Sequence, residues 1–301
     1  MKKIYITGSR GMVGSRFLEL LPKDLIPLTP EIDKLDITDK SSIGSFFESE
    51  KPDITLHFAA FTDVGEAEKE RGDKEGPCWR INVGGSINLA EACRKYNSHL
   101  IHISTDYCFS GSSQDPGPYD EKHQIEKDET KLTWYGFTKA EAERNLNRIL
   151  GQNFTIVRLI YPVRAKFEAK LDYIRKPLSL FDQGKLYPLF TDQQVSVTYI
   201  DEACQAINRV VEGNKDGIFH ASTTDTTTPY ELVNYVIEKT RGVKNAVKKS
   251  SLDDFLKTVD NPTRYPKYGG LKVEETQKAL GMKFSSWKEM VDALTPDLST
   301  S

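Results

Sequence analysis

Short strand-like runs alternate with helical patterns along the first 160 residues, and this rhythm constrains the fold more than any other feature. The runs are almost continuously apolar, and they cover residues 3–7, 25–28, 53–59, 100–104 and 154–159. Strands that are apolar on both faces are typical of a parallel sheet covered on both sides. The alternation therefore predicts an α/β fold, a Rossmann-like doubly wound parallel sheet.

Composition argues against two classes of partner. Hydrophobic residues make up 38% of the chain and charged residues 28%, and the net charge is −3. Both signs of charge are interspersed, so no basic stripe indicates nucleic acid and no polybasic helix indicates a membrane surface. No apolar run approaches the ~20 residues that a bilayer span needs. We therefore expect no nucleic-acid partner and no membrane association.

The four cysteines, Cys78, Cys93, Cys108 and Cys204, include no C-x-x-C pair. A chain of 301 residues can build a core without disulfides, so we interpret them as reduced thiols and predict a cytoplasmic protein.

Three histidines lie in or beside predicted strands. His99 and His102 are three residues apart, a spacing that directs side chains to opposite faces of a strand and argues against a metal pair. His57 is expected to be a buried histidine with its hydrogen bonds satisfied. No cluster of His, Cys, Asp and Glu has the spacing of a metal site, so we predict no metal.

Glycines occupy the turn between the first predicted strand and the first predicted helix. Gly8, Gly11 and Gly14 are spaced G-x-x-G-x-x-G. A tight turn favours glycine, a pyrophosphate approaches backbone N–H groups most closely where no Cβ intervenes, and the helix N-terminus adds a positive dipole. The spacing alone is a weak signal, but after a strand and before a helix it predicts a dinucleotide cofactor.

The choice of dinucleotide depends on the end of the second strand. An acidic residue there would bind the ribose diol of NAD, but residues 25–28 lead into Thr29 and Pro30, and Glu31 comes late. Arg10 lies within the glycine loop, where a guanidinium could bind the 2′-phosphate of NADP. We therefore predict NADP, with NAD as the alternative.

A tyrosine and a lysine lie four residues apart in a helix-like stretch, "WYGFTKAEAE" at 134–143. Positions i and i+4 share a helix face, so Lys139 would place a positive charge near the Tyr135 phenol. An ammonium and an oxidised nicotinamide both favour the phenolate, so we expect the pKa of Tyr135 to be lowered. The pair then predicts proton transfer at Tyr135.

Two hydroxyl residues end the fourth predicted strand. Ser104 and Thr105 lie at its carboxyl end, the edge at which open α/β sheets bind ligands. Thr105 could donate a hydrogen bond to a substrate carbonyl oxygen. Each of these residues is common in turns, and only their order after the glycine loop makes the combination specific.

Across nearly its whole length the chain resembles the extended short-chain dehydrogenase/reductases, and within them it is most similar to the dTDP-4-dehydrorhamnose reductase family. Matching stretches include "TGSRGMVG" at 7–14, "PDITLHFAAFTDVGEAE" at 52–68, "STDYCFSG" at 104–111, "YGFTKAEAE" at 135–143 and "GIFHASTTDTTTPYELV" at 217–233. The resemblance implies NAD(P)H-dependent reduction of a nucleotide-linked 4-keto-6-deoxy sugar in dTDP-rhamnose biosynthesis. Homodimers are common in this superfamily, but no residue here decides the oligomeric state.

The resemblance also implies roles for individual residues. The catalytic trio is Thr105, Tyr135 and Lys139. The predicted cofactor-binding residues are Gly8, Arg10, Gly11, Met12, Val13, Gly14, Asp36, Ile37, Ala59, Ala60, Ser104, Tyr135 and Lys139. The predicted substrate-binding residues are Asp106, Tyr107, Tyr161 and Gln193.

Two departures from the family pattern fall on the substrate side. After the fifth strand the family often has R-T-S-W-V-Y, whereas this chain has "RLIYPV" at 158–163, so Tyr161 replaces a tryptophan that would pack on the sugar. Where the family tends to have D-Q-x-G-x-P-T, this chain has "DQQVSVT" at 192–198. The identity of the sugar and of the nucleotide therefore stays open.

The strand–helix alternation changes after about residue 160. Residues 162–181 resemble one amphipathic helix. We predict a dinucleotide-binding domain of residues 1–160 and 194–221, and a smaller mixed α/β substrate-binding lobe of residues 161–193 and 222–297.

Other functions of the same superfamily stay open. A 4,6-dehydratase typically has Asp-Glu after the threonine, whereas Tyr107 follows Asp106 here. A nucleotide-sugar epimerase is harder to exclude. A non-catalytic NADP-binding subunit, like the regulatory β subunit of methionine adenosyltransferase, resembles the same reductases, although the retained catalytic trio favours an enzyme.

Overall fold

The structure, a computed structural model, describes residues 1–299. Its strands are β1 (Lys2–Thr7), β2 (Leu25–Leu28), β3 (Ile54–His57), β4 (His99–Thr105), β5 (Phe154–Leu159), β6 (Pro162–Val163), β7 (Leu189–Phe190), β8 (Thr198–Tyr199), β9 (Gly217–Ala221) and β10 (Lys249–Ser250).

The helices follow these strands at the intervals that the sequence indicates. They are α1 (Met12–Glu19), α2 (Lys40–Glu50), α3 (Val64–Lys69), α4 (Pro77–Trp79), a π-helical stretch (Arg80–Gly85) that continues into α5 (Ser86–Tyr96), α6 (Trp134–Leu150), α7 (Arg175–Asp182), α8 (Ile200–Gly213), α9 (Pro229–Arg241), α10 (Leu252–Leu256), α11 (Glu274–Leu280) and α12 (Trp287–Ser299). None of the helices within residues 1–299 is long and apolar enough to cross a membrane.

A central sheet confirms the predicted fold class. Its order is β2-β1-β3-β4-β5-β9, and β2, β1, β3 and β4 pair in parallel. Every residue of β3 and of β5 is buried, as expected for strands covered on both faces. The strand order reverses between β1 and β3, and ligands bind at such a switch point in open α/β sheets, outside the carboxyl ends of the strands.

The chain divides into two compact units. Unit 1 comprises residues 1–109, 124–158 and 204–219, and unit 2 comprises 110–123, 159–203 and the chain from 220 onward. Unit 1 holds nearly all of the central sheet, and α2 and α5 pack on it through a buried cluster that includes Phe47 and Leu89.

Unit 2 has its own core. Helices α9 and α12 pack against each other, and Val236, Met290 and Leu294 are fully buried in their shared cluster. Two short parallel pairs, β6 with β8 and β7 with β10, complete the unit, which agrees with the expectation of mixed α/β structure.

The units differ from the predicted domains mainly at two segments, 110–123 and 194–203, which belong to unit 2, and by two residues each at 159–160 and 220–221. The Gly117 N–H donates to the Tyr268 carbonyl oxygen at 2.8 Å, and Val195 and Thr227 exchange backbone hydrogen bonds at 2.8 and 2.9 Å. These partners lie 32 or more residues away in sequence, so local patterns could not assign the segments.

The single helix expected at 162–181 is wrong. Only Arg175–Asp182 is helical, and β6 and an irregular loop replace the first half. Asp172 is buried and accepts hydrogen bonds from the backbone N–H groups of Arg164, Ile174 and Arg175. The Asp172 carboxylate thus accepts hydrogen bonds from the loop and from the first residue of α7. Apolar periodicity does not reveal such contacts, so it could not locate the start of the helix.

Candidate active site

A pocket of about 500 Å³ lies at the switch point of the sheet. It is lined by the turn after β1, by residues 30–32 and 35–38, and by Ala59 and Ala60 after β3. Ligand pockets are usually of this size and position. We call it the glycine pocket.

The turn after β1 has the backbone geometry that a dinucleotide site requires. Gly8 has a φ of +64°, and a Cβ there would lie 2.7 Å from the Ala59 nitrogen. A Cβ on Gly14 would collide with the Gly8 carbonyl oxygen. Gly11 is the N-cap of α1, and no side chain caps that end of the helix. The turn therefore needs its glycines and leads directly into a helix N-terminus, which fits a bound pyrophosphate.

An ion pair crosses the part of the glycine pocket that residues 30–32 line. The Arg10 guanidinium contacts the Glu31 carboxylate, and both residues line the pocket. The Arg10 side chain is 81% exposed and that of Glu31 41% exposed. Glu31 comes late after β2 in the sequence, yet in the folded chain it lines the pocket. The acid that favours NAD and the base that favours NADP therefore bind each other.

The predicted cofactor residues fall into two groups. Those that line the glycine pocket are Gly8, Arg10, Asp36, Ile37, Ala59 and Ala60. Those outside its lining are Gly11, Met12, Val13, Gly14, Ser104, Tyr135 and Lys139. Sequence reasoning missed Thr7, Ser9, Glu31 and Arg80, which also line it. Arg80 lies in the π-helical stretch far along the chain, where nothing local marks it as a pocket residue.

The start of α6 brings Tyr135 to the end of β4. Thr133 caps the helix by accepting a hydrogen bond from the Gly136 N–H at 2.9 Å, as its position before Trp134 suggests. A Cβ on Gly136 would collide with the Tyr107 carbonyl oxygen, so the helix packs directly on the segment after β4. The rings of Tyr107 and Tyr135 then meet edge to face, 5.8 Å between centroids.

Lys139 lies one turn further along α6 and is 2% exposed. Its Nζ donates to the Ile103 carbonyl oxygen at 2.7 Å and lies 2.9 Å from His102 Nε2. Both contacts are on β4, the strand that ends in Thr105. Burial lowers the pKa of Lys139 to about 8. The fold thus brings the predicted catalytic trio to one edge of the sheet.

The expectation that the pKa of Tyr135 is lowered is wrong for the protein by itself. Burial, and then the Cys108 thiol, raise the pKa of Tyr135 above its ordinary value. The Lys139 ammonium binds β4, and desolvation of the buried phenolate is the largest cause of the raised pKa. Tyr135 is therefore a phenol at neutral pH.

Thr105 is 7% exposed and caps the short turn Asp106–Cys108. Its Oγ1 accepts from the Tyr107 N–H at 3.3 Å and donates to Asp106 Oδ1 at 3.4 Å. Asp106 is 4% exposed, so both hydroxyl and carboxylate are held at the strand end. These are long bonds, which a substrate oxygen can replace.

Ser104 is committed to a buried ion pair that sequence reasoning missed. Its Oγ donates to Glu143 Oε1 at 2.5 Å, and Arg158 Nη2 contacts Glu143 Oε2 at 2.6 Å. Arg158 is 1% exposed and Glu143 4%. Burial acts to raise the pKa of Glu143, but Arg158 and the hydrogen bonds outweigh it and lower that pKa. Glu143 lies in the stretch 135–143 that resembles the reductase family, and no other feature of the sequence points to this residue.

Two of the predicted substrate residues lie in unit 2. The Tyr161 ring stacks on the Tyr173 ring with centroids 4.1 Å apart, and Tyr161 has a φ of +40°, which is uncommon for a bulky residue. Gln193 is 6% exposed and donates from Nε2 to the Pro266 carbonyl oxygen at 3.0 Å. Within residues 1–299, no group of three His, Cys, Asp or Glu side chains is arranged to hold a metal ion.

The model of a known family, the RmlD substrate binding domain, matches residues 1–299. This chain belongs to that family. A dTDP-4-dehydrorhamnose reductase of Aggregatibacter actinomycetemcomitans is 28% identical over 298 residues, which cover 96% of each chain. A dTDP-4-keto-6-deoxy-D-glucose reductase of Streptomyces niveus is 30% identical over 230 residues, which cover 75% of each.

Among solved structures, the crystal structure of a dTDP-4-dehydrorhamnose reductase from Bacillus anthracis in complex with NADP is similar in fold. The TM-score is 0.82 at 24% identity, and the match covers 98% of each chain. The match to the RmlD family model spans residues of both units.

Proposed function

We propose that this chain is an NAD(P)H-dependent reductase of a nucleotide-linked 4-keto-6-deoxy sugar. The observation that carries the proposal is the meeting of α6 with the end of β4, which brings Tyr135 and Lys139 to the strand that ends in Thr105. Relatives of similar length are named as dTDP-4-dehydrorhamnose reductase and as a reductase of a dTDP-linked 4-keto-6-deoxy sugar.

Each member of the catalytic trio has a task that its environment supports. NADPH, when bound, would supply the hydride that reduces the substrate carbonyl carbon. Thr105 would hold the carbonyl oxygen through its Oγ1, and Tyr135 would donate its phenolic proton to that oxygen. Lys139 would hold the cofactor ribose and place a positive charge beside the tyrosine.

The raised pKa of Tyr135 favours the direction of reduction. The group enters the reaction as a phenol, so it is ready to give a proton, not to remove one. An alkoxide is a stronger base than a phenolate, even a desolvated one, and the transfer therefore runs downhill. The phenolate that remains would be stabilised by the nearby Lys139 ammonium.

NADP is the proposed cofactor, and NAD stays an alternative. The glycine cradle fits the pyrophosphate that both share. Arg10 can bind a 2′-phosphate only by leaving Glu31, and Glu31 can bind a ribose diol only by leaving Arg10. Because both are exposed, either exchange costs little.

The substrate-binding roles of Asp106, Tyr107, Tyr161 and Gln193 are part of the same proposal. Tyr107 and Asp106 support it through their place beside Tyr135 and Thr105. The Tyr161–Tyr173 stack offers unit 2 an aromatic surface of the kind that packs on sugars. Gln193 already binds Pro266, so its role in substrate binding has the least support.

The proposal is tested by the loss of reduced-nicotinamide absorbance when the purified protein meets NADPH or NADH. The substrates are dTDP-, UDP- and GDP-linked 4-keto-6-deoxy sugars. Oxidation of either cofactor with one of them, and with no other addition, is the expected result. Tight binding of NADP without turnover of any of these sugars would contradict the proposal and favour an epimerase or a regulatory subunit.

A further inference from the structure

The ammonium of Lys139 is held by β4, and one of its contacts there, His102, has no role in the proposed reaction. Within residues 1–299 the two hydrogen-bond partners of the ammonium are the Ile103 carbonyl oxygen and the imidazole of His102, at 2.7 and 2.9 Å. His102 is fully buried and Lys139 is 2% exposed. A buried ammonium must direct its three N–H groups at acceptors, and His102 is one of the few that the protein supplies.

His102 can act as an acceptor only while it is neutral. Burial, then the charge of Lys139, then His57, hold the pKa of His102 well below its usual range. A neutral imidazole with its proton on Nδ1 presents a lone pair at Nε2, whereas an imidazolium donates from both nitrogens and would repel Lys139. The contact therefore persists throughout the neutral range.

The other groups around Lys139 do not offer it a free carboxylate. Besides His102, those that act on its charge are His57 on β3, Cys78 on α4, Cys108 after β4 and Glu143 on α6. His57 lies 2.8 Å from Thr7 Oγ1 and 3.1 Å from Ser86 Oγ, and burial and Lys139 lower its pKa to about 3.

The two thiols are also uncharged, since burial raises the pKa of Cys78 to about 11 and that of Cys108 to about 12. Glu143 is the one anion among these neighbours, and it is bound by Arg158 at 2.6 Å. Among the described residues, neutral acceptors therefore make the hydrogen bonds to the Lys139 ammonium, and Glu143 acts on it only through its charge.

We propose that His102 is a positioning residue for Lys139, and that its neutral Nε2 fixes the direction of the ammonium and helps it to keep its proton. The inference rests on the proposed function, since it concerns the lysine of the catalytic trio. Without the imidazole, the buried ammonium loses an acceptor and its charged form becomes more costly. The amine would then be neutral at the pH at which Tyr135 needs a positive neighbour.

Three variants separate positioning from packing. His102→Gln keeps an acceptor at about the reach of Nε2, and His102→Leu removes it. His99→Gln is the matched control, because His99 lies on the same buried strand but binds Thr155 at 2.9 Å. Thermal unfolding of each variant shows the cost to the fold.

The first readout is independent of activity. The pKa of Lys139 is measured by NMR titration of protein labelled with ¹³C at lysine Cε, with the signal assigned by its loss in Lys139→Met. We expect His102→Leu to lower the pKa of Lys139 by about one unit, and the two glutamine variants to leave it within a few tenths.

The second readout is the pH profile of kcat/KM with the sugar that the wild type reduces. The loss of activity at high pH should move down by the same ~1 unit in His102→Leu, which gives about a tenfold loss just above the wild-type pKa. His102→Gln should restore the wild-type profile. If His102→Leu does not fold, His102→Asn takes its place, since its amide is polar but too short to reach Nζ.

A Lys139 pKa and pH profile that match the wild type in His102→Leu or His102→Asn would overturn the inference, even if the variant melts earlier. The proposed function would then still stand, provided that the wild type reduces a keto sugar. If the wild type reduces no keto sugar and His102→Leu still lowers the pKa of Lys139, the positioning role is supported while the reductase assignment fails.

Discussion

Two regions of unit 1, the proposed reaction end of the site and its proposed ribose end, differ in how tightly the protein holds its own groups. At the reaction end, Lys139 and His102 are 2% and 0% exposed, and their partners lie within 3 Å. At the ribose end, Arg10 and Glu31 are 81% and 41% exposed, and they bind each other.

This difference teaches which end can be changed at low cost. In a dry environment a lost partner cannot be replaced by water, so one substitution has a large effect. An exposed ion pair contributes ~0–1 kcal/mol and can be exchanged for contacts to a ligand. The chemistry should therefore be sensitive to single atoms at the reaction end, whereas cofactor preference should be easy to adjust at the ribose end.

The largest effect is expected from Tyr135→Phe, which removes the proton donor and little else. Turnover should fall about 10²–10⁴-fold, since that is the usual contribution of a positioned general acid. Affinity for NADP, measured by calorimetry, should change less than about twofold. Tyr187→Phe is the control, because that ring is 50% exposed. A fully active Tyr135→Phe would show that Tyr135 is not the proton donor, and the reaction end would then not lie at this residue.

A second test compares a buried with an exposed ion pair. Arg158→Met leaves the buried Glu143 charge without its partner, and should lower the free energy of unfolding by about 3–5 kcal/mol. Lys69→Met breaks the pair with Glu66, whose side chains are 71% and 57% exposed, and should cost less than about 1 kcal/mol. Urea denaturation measures both, and equal costs would contradict the assumed difference in environment.

The stability of the reaction end should depend on pH. His57 has its pKa lowered to about 3, and that of His102 is also lowered, so both stay neutral in the native state. The unfolded chain takes up protons as the pH falls through ~6.5, and the free energy of unfolding then falls by up to ~1.4 kcal/mol per pH unit for each histidine. Urea titrations at pH 7, 6 and 5 should show this slope. His57→Gln should reduce it, and an unchanged slope would show that His57 does not contribute.

The smallest effect is expected at the ribose end. Glu31→Gln frees Arg10, and should raise the preference for 2′,5′-ADP over 5′-ADP by about two- to fivefold in calorimetric binding. Arg10→Met should lower that preference. Glu50→Gln is the matched control, because Glu50 pairs with Lys3 outside the glycine pocket. If the ratio of affinities for 2′,5′-ADP and 5′-ADP is unchanged in both pocket variants, the pair does not distinguish a 2′-phosphate from a 2′-hydroxyl.

Local signals made parts of this site predictable. The glycine spacing, the strand–helix alternation and the i, i+4 spacing of Tyr135 and Lys139 are all properties of short segments. The cap at Thr133 is also local, and the structure contains it. His57 was expected to be buried with its hydrogen bonds satisfied, and its contacts with Thr7 and Ser86 confirm this.

By itself, then, the sequence determined the fold class, the cofactor turn and the residues that resemble a catalytic trio, because backbone geometry and periodicity act over a few residues. Only the tertiary structure decided that Glu31 meets Arg10, that Arg158 fixes Glu143, and that His102 holds Lys139. Those pairs are 15 to 37 residues apart and depend on which strands become neighbours. The pKa of Tyr135 belongs with them, since desolvation is a property of the packed site and not of the helix that carries the residue.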